Sequence, residues 1–151
     1  MDAQEKYLEA LNIEKTGGSR EKIVALLSVS ADEGFADSQY ALGTLYLHGK
    51  YVDRDVPIAI DYLRRAAAQM HPDALFDLGV ALEKGEEGAP SPEEAFRHYF
   101  LAAVSGDRGS IYELARCYYY GIGTPNDRKA YNILMQASDH FNGVNYGAKD
   151  K

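Results

Sequence analysis

A spacing of 36 residues recurs along most of the chain, and it constrains the fold more than any other feature. Three pairs of leucine and a small residue keep this spacing: Leu42-Gly43, Leu78-Gly79 and Leu114-Ala115. Three glycines follow in the same phase: Gly49, Gly85 and Gly121. A fixed internal period of this size is the sequence signature of repeat architectures. The sequence therefore predicts stacked copies of one structural unit.

Each copy contains two helical patterns, which we name helix A and helix B. Helix B of the clearest unit has apolar residues at positions i, i+3, i+4, i+7 and i+8, the stripe of an amphipathic helix: Ala59, Tyr62, Leu63, Ala66 and Ala67. The stripe recurs at Ala95, Tyr99, Ala102 and Ala103, and then, one residue early, at Ala130, Ile133, Leu134 and Ala137. Applied backwards, the phase finds Ile23, Leu26, Leu27, Ser30 and Ala31. We therefore predict a diverged unit at 3–35, repeats at 36–71, 72–107 and 108–141, and a tail at 142–151.

Residues suited to starting and ending helices keep the same phase. Four residue types that cap helix N-termini precede the B helices: Ser19, Asp55, Ser91 and Asn126. Ser91-Pro92-Glu93-Glu94 also matches a capping box with proline at the first helical position. Gly34 and Gly106 lie just past their B helices, where a left-handed residue is favoured.

These patterns together predict the fold class. A single helical hairpin of this kind cannot bury its own apolar face, whereas stacked copies bury a continuous core. We expect one all-α domain over 1–141, a right-handed α-solenoid of stacked helix-turn-helix repeats, an α-α superhelix.

The charge distribution limits the classes of partner. The formal net charge is −7, and no basic cluster is present of the kind that nucleic acid or an anionic membrane requires. Between residues 71 and 107, eight acids face only two bases: Asp73, Asp77, Glu83, Glu86, Glu87, Glu93, Glu94 and Asp107 against Lys84 and Arg97. This acidity has two interpretations, a solvated surface or electrostatic steering of a basic partner.

The sequence shows no pattern typical of an enzyme, metal site or cofactor site. No two of the histidines have helical i, i+4 spacing, and no zinc, calcium, phosphate-loop or dinucleotide motif occurs. The single cysteine, Cys117, lies inside a predicted A helix and is interpreted as a core residue. Since these motifs are missing, we expect a non-enzymatic protein without cofactors. No leader-like or membrane-length apolar stretch is seen, so we expect a cytoplasmic location.

The recurring residues resemble the Sel-1-like repeat family, which is related to the tetratricopeptide repeat. The family pattern is Ala-x-x-x-Leu-Gly-x-x-Tyr-x-x-Gly-x-Gly, followed by a second helix ending in Ala-Ala-x-x-Gly. It is matched by SQYALGTLYLHG at 38–49, ALFDLGVALEKG at 74–85 and SIYELARCYYYGIG at 110–123. The resemblance covers about residues 36–141. Only Gly121-Ile122-Gly123 keeps the second loop glycine, since Gly49-Lys50-Tyr51 replaces it in the first repeat.

The resemblance implies an adaptor that binds a partner protein on its concave face, which helix A would line. The positions expected to be exposed there are Tyr40, Thr44, Leu47, His48, Phe76, Val80, Glu83, Lys84, Tyr112, Arg116, Tyr119 and Tyr120. Tyr40, Phe76 and Tyr112 form a column at 36-residue spacing, which is either a contact surface or part of the repeat's own packing. Tyr118 occupies the structural tyrosine position, so Tyr119 and Tyr120 are the stronger contact candidates.

Two further hypotheses remain open at this point. A dedicated inhibitor, such as an immunity protein, would use the acidic middle repeat to block a basic toxin or enzyme. Separately, the apolar Ile133, Leu134 and Met135 are followed by a tail too short for a capping helix. We therefore expect an exposed apolar C-terminal edge, covered by the tail, by a missing segment, or by a second copy in a homodimer.

Overall fold

The computed structural model describes residues 1–86 and 88–141, and within them it contains eight α-helices and no strand. The helices are α1 (Ala3–Lys15), α2 (Arg20–Asp32), α3 (Ala36–His48), α4 (Val56–Ala68), α5 (Pro72–Lys84), α6 (Pro92–Val104), α7 (Gly109–Tyr120) and α8 (Arg128–Phe141). The all-α prediction is confirmed. Glu87 and the predicted tail at 142–151 lie outside the described residues.

The chain forms two compact units, Met1–Ala74 and Leu75–Lys151. In the first unit, α1 packs on α2, α2 on α3, and α3 on α4. In the second, α6 packs on α7 and α7 on α8. In these pairs, helices that follow one another in the chain are neighbours in space, as short connections favour.

Small residues on helix A allow its B partner to approach closely. A Cβ atom added at Gly43 would lie 2.8 Å from Cδ2 of Leu63 on α4. One added at Gly79 would lie 2.6 Å from Cε1 of Tyr99 on α6. Real Cβ atoms do not approach other heavy atoms this closely, so only glycine fits these positions without a shift of its neighbour.

Each unit has its own apolar core. In the first, buried side chains of α1, α2 and α3 form one cluster: Ala10, Ile13, Ile23, Leu27, Ala31, Leu42 and Leu45. In the second, Ala95 and Tyr99 of α6 meet Leu114 and Cys117 of α7. Cys117 is 0% exposed, and burial raises the pKa of its thiol to about 11. The thiol therefore stays protonated near neutral pH, in accord with its interpretation as a core residue.

Two of the predicted helix caps are confirmed, and a capping box is found elsewhere. The side chains of Ser19 and Asp55 accept hydrogen bonds from the third residues of α2 and α4. Ser91 does precede α6, but its side chain makes no capping bond, so the predicted box is wrong. The Ser91 backbone, with φ −126° and ψ 82°, lies outside the extended region from which Ser19 and Asp55 cap, and its N–H donates to the Leu82 carbonyl at 2.8 Å. A complete box occurs at α1, between Asp2 and Glu5.

The prediction that the last B helix is capped one residue early, at Asn126, is also wrong. Asp127, not Asn126, accepts the N–H of Ala130 at 3.0 Å, so the cap keeps the 36-residue step from Ser91. Asn126 instead donates its side-chain amide to the Tyr119 carbonyl at 2.7 Å. Ser138 and Asp139 are buried as Ala66 and Ala67 are, whereas Ala130 and Ala137 are only half-buried. The cap and these two buried residues of α8 therefore follow an unbroken 36-residue step.

Left-handed backbone recurs just past the B helices. Gly34 and Gly106 have φ values of 94° and 105°, as predicted, and Met70 occupies the equivalent position with φ of 61°. Two further left-handed residues lie in the loops after the A helices: Tyr51 and Gly123 have φ values of 66° and 67°. Met70 and Tyr51 thus adopt a conformation that disfavours any residue with a Cβ atom.

Candidate functional site

The twelve predicted contact residues differ in how far their side chains reach solvent. His48, Lys84, Tyr112 and Tyr120 are exposed, and the other eight are half-buried. The expectation that all twelve are exposed is therefore wrong for most of them. Their neighbours show which are committed to packing and which line an open surface.

Two members of the aromatic column pack within their own unit. The Tyr40 ring stacks on His71 at a centroid distance of 4.8 Å. His71 is itself fixed, because its Nδ1 accepts the Ala74 N–H at 3.3 Å and its Nε2 lies 2.8 Å from an Asp37 carboxylate oxygen. Phe76 lies against Tyr99 with ring centroids 5.9 Å apart. These contacts favour the packing interpretation for Tyr40 and Phe76.

Glu83 and Arg116 bind each other in the second unit. The Arg116 guanidinium donates to Glu83 at 2.5 Å and to Glu113 at 2.8 Å, and the Tyr99 hydroxyl donates to Glu83 at 2.9 Å. The hydrogen bond from Arg116 lowers the pKa of the Glu83 carboxyl, and burial followed by the hydrogen bond to Glu83 raises the pKa of Tyr99. The hydrogen bond to Glu83 likewise raises the pKa of Arg116. These two predicted contact residues are therefore held in an internal network.

Four of the predicted residues come together around one open cleft of about 390 Å³ on α7 and α8, which we name the tyrosine cleft. Its lining consists of Tyr112, Ala115, Arg116, Tyr119, Tyr120, Tyr131 and Met135. The α7 residues of this lining share one face, because they follow i, i+3, i+4, i+7 and i+8 spacing. Tyr112 and Tyr120 have 41% and 67% of their surface exposed, so large aromatic area faces solvent here.

The rings of the tyrosine cleft support one another. Tyr119 lies between Tyr120 and Tyr131, with centroid distances of 4.8 Å and 5.1 Å and interplanar angles of 71° and 61°. Edge-to-face pairs of this kind are the favoured arrangement of aromatic rings. The Arg128 guanidinium lies 4.6 Å from the centre of the Tyr119 ring. The Tyr119 ring is thus held by contacts with two other rings and with Arg128.

Tyr131 and Met135 of this cleft were not among the predicted contact residues, because only helix A was expected to carry contacts. The unbroken 36-residue step supplies the missing signal. It places Tyr131 where the earlier repeats have Ala59 and Ala95, both fully buried. A large ring at a position that holds a fully buried alanine in the two earlier repeats marks a local departure from the repeat.

A smaller cleft of about 200 Å³ lies in the first unit, which we name the Glu14 cleft. It contains the predicted Thr44 and His48, and its full lining is Ala10, Leu11, Glu14, Ile23, Leu27, Ala41, Thr44, Leu45, His48, Lys50 and Tyr51. Lys50 and the Tyr51 hydroxyl each donate to Glu14 at 2.9 Å, and these bonds lower the pKa of its carboxyl. Of the other predicted residues, Leu47, Val80 and Lys84 line neither cleft.

The described residues hold no group of three or more histidine, cysteine or acidic side chains placed to bind a metal ion. Among the same residues, no helix has both the length and the apolar character needed to cross a membrane. Of the expected apolar edge on α8, Ile133 has 65% of its surface exposed, whereas Leu134 and Met135 are half-buried and Leu134 packs against the core of the second unit. What covers that edge, and the predicted homodimer, stay predictions.

Comparison with known proteins decides the family. The sequence model of the Sel1 repeat matches three successive segments, residues 36–71, 72–107 and 109–140. The chain belongs to the Sel1 repeat family. Two solved structures share its fold: a Sel1 repeat protein from Oxalobacter formigenes, and a protective antigen of uropathogenic Escherichia coli with the Sel1-like fold. Each has a TM-score of 0.86 over 92% of this chain, at 23% and 24% identity, and the chain covers 58% and 30% of them. The predicted solenoid fold is thereby confirmed.

Curated relatives of this Sel1 repeat protein are much longer. The mouse DAP3-binding cell death enhancer 1 is 34% identical over 88 residues, which is 58% of this chain and 17% of the relative. A putative ERAD-associated E3 ubiquitin-protein ligase component of Schizosaccharomyces pombe is 29% identical over 122 residues, 77% of this chain and 17% of the relative. The chain therefore spans less than a fifth of these two proteins. Sel1 repeats generally mediate protein–protein interaction, and their fold is typically a non-catalytic scaffold.

Proposed function

We propose that this Sel1 repeat protein is a non-catalytic adaptor that holds a partner protein on its helix A face, the face predicted to be concave. The contact centre in this proposal is the tyrosine cleft. The observation that carries the proposal is the gathering of Tyr112, Tyr119, Tyr120 and Tyr131 around one open cleft. A buried free thiol at Cys117 fits a reducing compartment, so the proposal includes a cytoplasmic location.

The chemistry of the cleft suits protein binding. Tyrosine and arginine dominate binding hot spots, because a rigid ring buries large apolar area at low entropic cost and keeps a polar tip. Single exposed apolar residues are ordinary on protein surfaces, whereas a contiguous aromatic surface marks an interaction site. Since the rings already support one another, little conformational freedom is lost when a partner binds.

The relatives give the proposal a second line of support. The mouse relative is named for binding DAP3, and the fission yeast relative is named as a component of a ubiquitin-ligase assembly. Fold alone does not fix a partner, so the identity of the partner of this chain has to come from its own site.

The contacts of the acidic residues weaken the inhibitor hypothesis. Glu83 is bound to Arg116 and Tyr99, and Asp107 accepts from both the N–H and the hydroxyl of Ser110. Two of the eight acids therefore serve internal structure. Asp73, Glu86 and Glu93 remain as exposed acids among the described residues of that segment.

The proposal is tested by placing a photoactivatable phenylalanine analogue at Tyr120 and, as a matched control, at Phe100. Phe100 is on α6 in the same unit, is 49% exposed, and does not line the cleft. The protein is cross-linked in cells of its own source, and the captured partner is purified. Its affinity is then measured by calorimetry for wild type, Tyr112→Ala with Tyr120→Ala, and Phe100→Ala.

We expect cross-linking from position 120 only, and a loss of at least about 10-fold in affinity for the double tyrosine variant, the range of a moderate hot spot. Phe100→Ala should leave the affinity unchanged. A third variant, Glu86→Lys with Glu93→Lys, reverses two exposed acids. If only this variant loses binding, and the affinity of wild type falls steeply with salt, the inhibitor hypothesis replaces the adaptor.

A further inference from the structure

The Glu14 cleft of the first unit can be compared with the equivalent positions of the second unit. Two 36-residue steps carry α2 onto α6, from 20–32 to 92–104, and they carry α3 onto α7. Each residue that lines the cleft from α2 or α3 therefore has an equivalent two repeats later. The side chains at those equivalent positions show what this part of the fold can hold.

In the second unit these positions hold a buried phenol and an ion pair. The Tyr99 side chain is 1% exposed, lies against Gly79, and donates its hydroxyl to Oε2 of Glu83 at 2.9 Å. Arg116 donates to the same oxygen of Glu83 and, at 2.8 Å, to Glu113. A phenol that donates to a carboxylate of the preceding helix is thus a stable arrangement here.

In the first unit the same positions carry smaller side chains. Three lining residues have less bulk than their equivalents: Leu27, Ala41 and Thr44 stand where the second unit has Tyr99, Glu113 and Arg116. Two have more bulk and add apolar wall: Ile23 for Ala95 and Leu45 for Cys117. The cleft has a volume of about 200 Å³. An apolar cavity of roughly 150 Å³ holds a benzene molecule, so the Glu14 cleft has room for one aromatic ring.

The polar side of the Glu14 cleft suits a neutral donor. Lys50 and Tyr51 both donate to Oε1 of Glu14, so among the described residues Oε2 keeps its capacity to accept a hydrogen bond. An anionic ligand would gain little from Lys50, because its ammonium already pairs with Glu14. A cationic ligand would meet both Lys50 and Arg20, which lie near the Tyr51 ring. Glu14 precedes α2 as Glu83 precedes α6, so a phenol hydroxyl could be accepted in the same way.

The Glu14 cleft is open to a side chain that comes from outside. Leu11 and His48 line it and are exposed, so a ring can enter while the backbone that carries it stays in solvent. Thr44 and His48 also belong to the predicted helix A contact surface. A protein held on that surface is therefore the source of the ring that fits this position.

We propose that the Glu14 cleft receives a tyrosine side chain of the partner protein, with its ring against Leu27 and Ile23 and its hydroxyl donating to Glu14. This inference rests on the proposed adaptor function and adds a second contact, in the first unit, to the tyrosine cleft. The ring would take the position that Tyr99 fills in the second unit.

The test uses capped pentapeptides Gly-Gly-X-Gly-Gly with the whole chain, where X is tyrosine, phenylalanine, leucine or lysine. Free p-cresol, the tyrosine side chain alone, is a fifth probe. NMR amide shifts give the affinities and locate the contact. We expect the tyrosine peptide to bind at least about 10-fold more tightly than the other three peptides, as one hydrogen bond to a charged group allows, with shifts concentrated on α1, α2 and α3.

Three results of this titration would overturn the proposal. Equal or tighter binding of the phenylalanine, leucine or lysine peptide would remove the phenol as the recognised group. Shifts confined to the second unit would place the tyrosine peptide elsewhere. Binding of p-cresol without binding of the tyrosine peptide would make the occupant a free small molecule and not a protein side chain.

Variants test the carboxylate and the space separately. Glu14→Gln should reduce the preference for tyrosine over phenylalanine by at least about 3-fold, because a neutral acceptor binds a hydroxyl less strongly than a charged one. Glu9→Gln is the matched control, since Glu9 is on the same helix and does not line the cleft. An unchanged preference in Glu14→Gln would overturn the role of the carboxylate and with it the proposal.

Ala41→Leu adds bulk inside the Glu14 cleft and should abolish binding of the tyrosine peptide. Ala68→Leu makes the same change at an exposed position of α4 outside the cleft, and it should leave binding unchanged. Helix content and the urea midpoint show whether both variants fold. Undiminished binding to a folded Ala41→Leu variant would overturn the proposal.

The two proposals fail in different ways. If the cross-linked partner depends on Tyr112 and Tyr120 but binds Ala41→Leu as tightly as Ala68→Leu, the adaptor function stands and the second contact is wrong. If neither the tyrosine variants nor Ala41→Leu weaken the partner, both proposals are wrong.

Discussion

At the scale of single residues, Met70 and Tyr51 occupy left-handed positions where at least one other repeat has glycine. Met70 corresponds to Gly34 and Gly106, and Tyr51 corresponds to Gly123. This conformation costs a residue with a Cβ atom about 1–2 kcal/mol. The two side chains differ in the contacts that offset this cost. Met70 is 43% exposed, whereas Tyr51 donates to Glu14 and lies near the Lys50 ammonium, 4.9 Å from its ring centre.

The first prediction compares Met70→Gly with Tyr51→Gly. Met70→Gly should raise the free energy of unfolding by about 0.5–1 kcal/mol, since relief of strain exceeds the added flexibility of the unfolded chain. Tyr51→Gly should give no gain, because it also loses a hydrogen bond and a wall of the Glu14 cleft. Urea unfolding measures both. Equal gains in the two variants would show that the Tyr51 side chain contributes nothing.

The second prediction concerns the contact between Gly79 and Tyr99. Gly79→Ala should lower the free energy of unfolding by about 1–3 kcal/mol, because its Cβ would overlap a fully buried ring. Gly109→Ala is the control, since a Cβ there meets Asp107 and Phe76 only at 3.6 Å and 3.8 Å. That substitution should be neutral or stabilise by about 0.5 kcal/mol, as alanine favours helix. Equal effects at both positions would contradict the close-packing account.

At the scale of helices, the hydrogen-bond network between α5, α6 and α7 carries a third prediction. Tyr99→Phe removes a donor and should cost about 1 kcal/mol, a typical net value for one hydrogen bond. Glu83→Met should cost more, about 2 kcal/mol. It leaves the Tyr99 hydroxyl, on a side chain 1% exposed, without its acceptor, and an unpaired buried group costs more than a missing one. The ratio of the two losses in urea unfolding checks this, and a larger loss for Tyr99→Phe would contradict it.

The helices themselves were largely predictable from sequence, because their apolar spacing and small residues repeat. Ser19 and Asp55 identified two helix starts correctly for the same reason. The cap of α8 was misassigned because Asn126 and Asp127 are adjacent and both suited to capping, and only geometry shows which side chain turns toward Ala130. The Ser91 box failed because the Ser91 backbone lies outside the extended region from which Ser19 and Asp55 cap. Residue type and spacing alone do not reveal such a difference in backbone conformation.

The tyrosine cleft was predictable only in part. Helical spacing placed Tyr112, Arg116, Tyr119 and Tyr120 on one face of α7. It did not show that Glu83 and Arg116 would bind each other, since they are 33 residues apart. Nor did it show that Tyr131 of α8 would complete the cleft. Ala115 and Tyr131 are both larger than their counterparts in the two earlier repeats, Gly43 and Gly79 for the first and Ala59 and Ala95 for the second.

At the scale of the whole molecule, the shifted titrations define a pH range of maximal stability. Hydrogen bonds lower the pKa of the Glu14 carboxyl in the first unit and of Glu83 in the second, below the ordinary value of 4.5. A lowered carboxyl pKa contributes stability that is present above the ordinary value and lost as pH falls through the folded one. Burial raises the pKa values of Tyr99 and Cys117, and stability from these groups is lost as pH rises.

The fourth prediction is therefore a plateau in the free energy of unfolding from about pH 5 to 9, with losses on both sides. On the alkaline side, the loss from Cys117 should fall between pH 9 and 11, the ordinary and folded pKa values of its thiol. Urea unfolding at each pH measures the curve. Cys117→Ala should flatten it between pH 9 and 11, and Glu83→Gln should flatten the acid side while lowering the plateau. An acid side unchanged by Glu83→Gln would mean that the bond from Arg116 does not set the titration of Glu83, and the network would then be a weak contact at the protein surface.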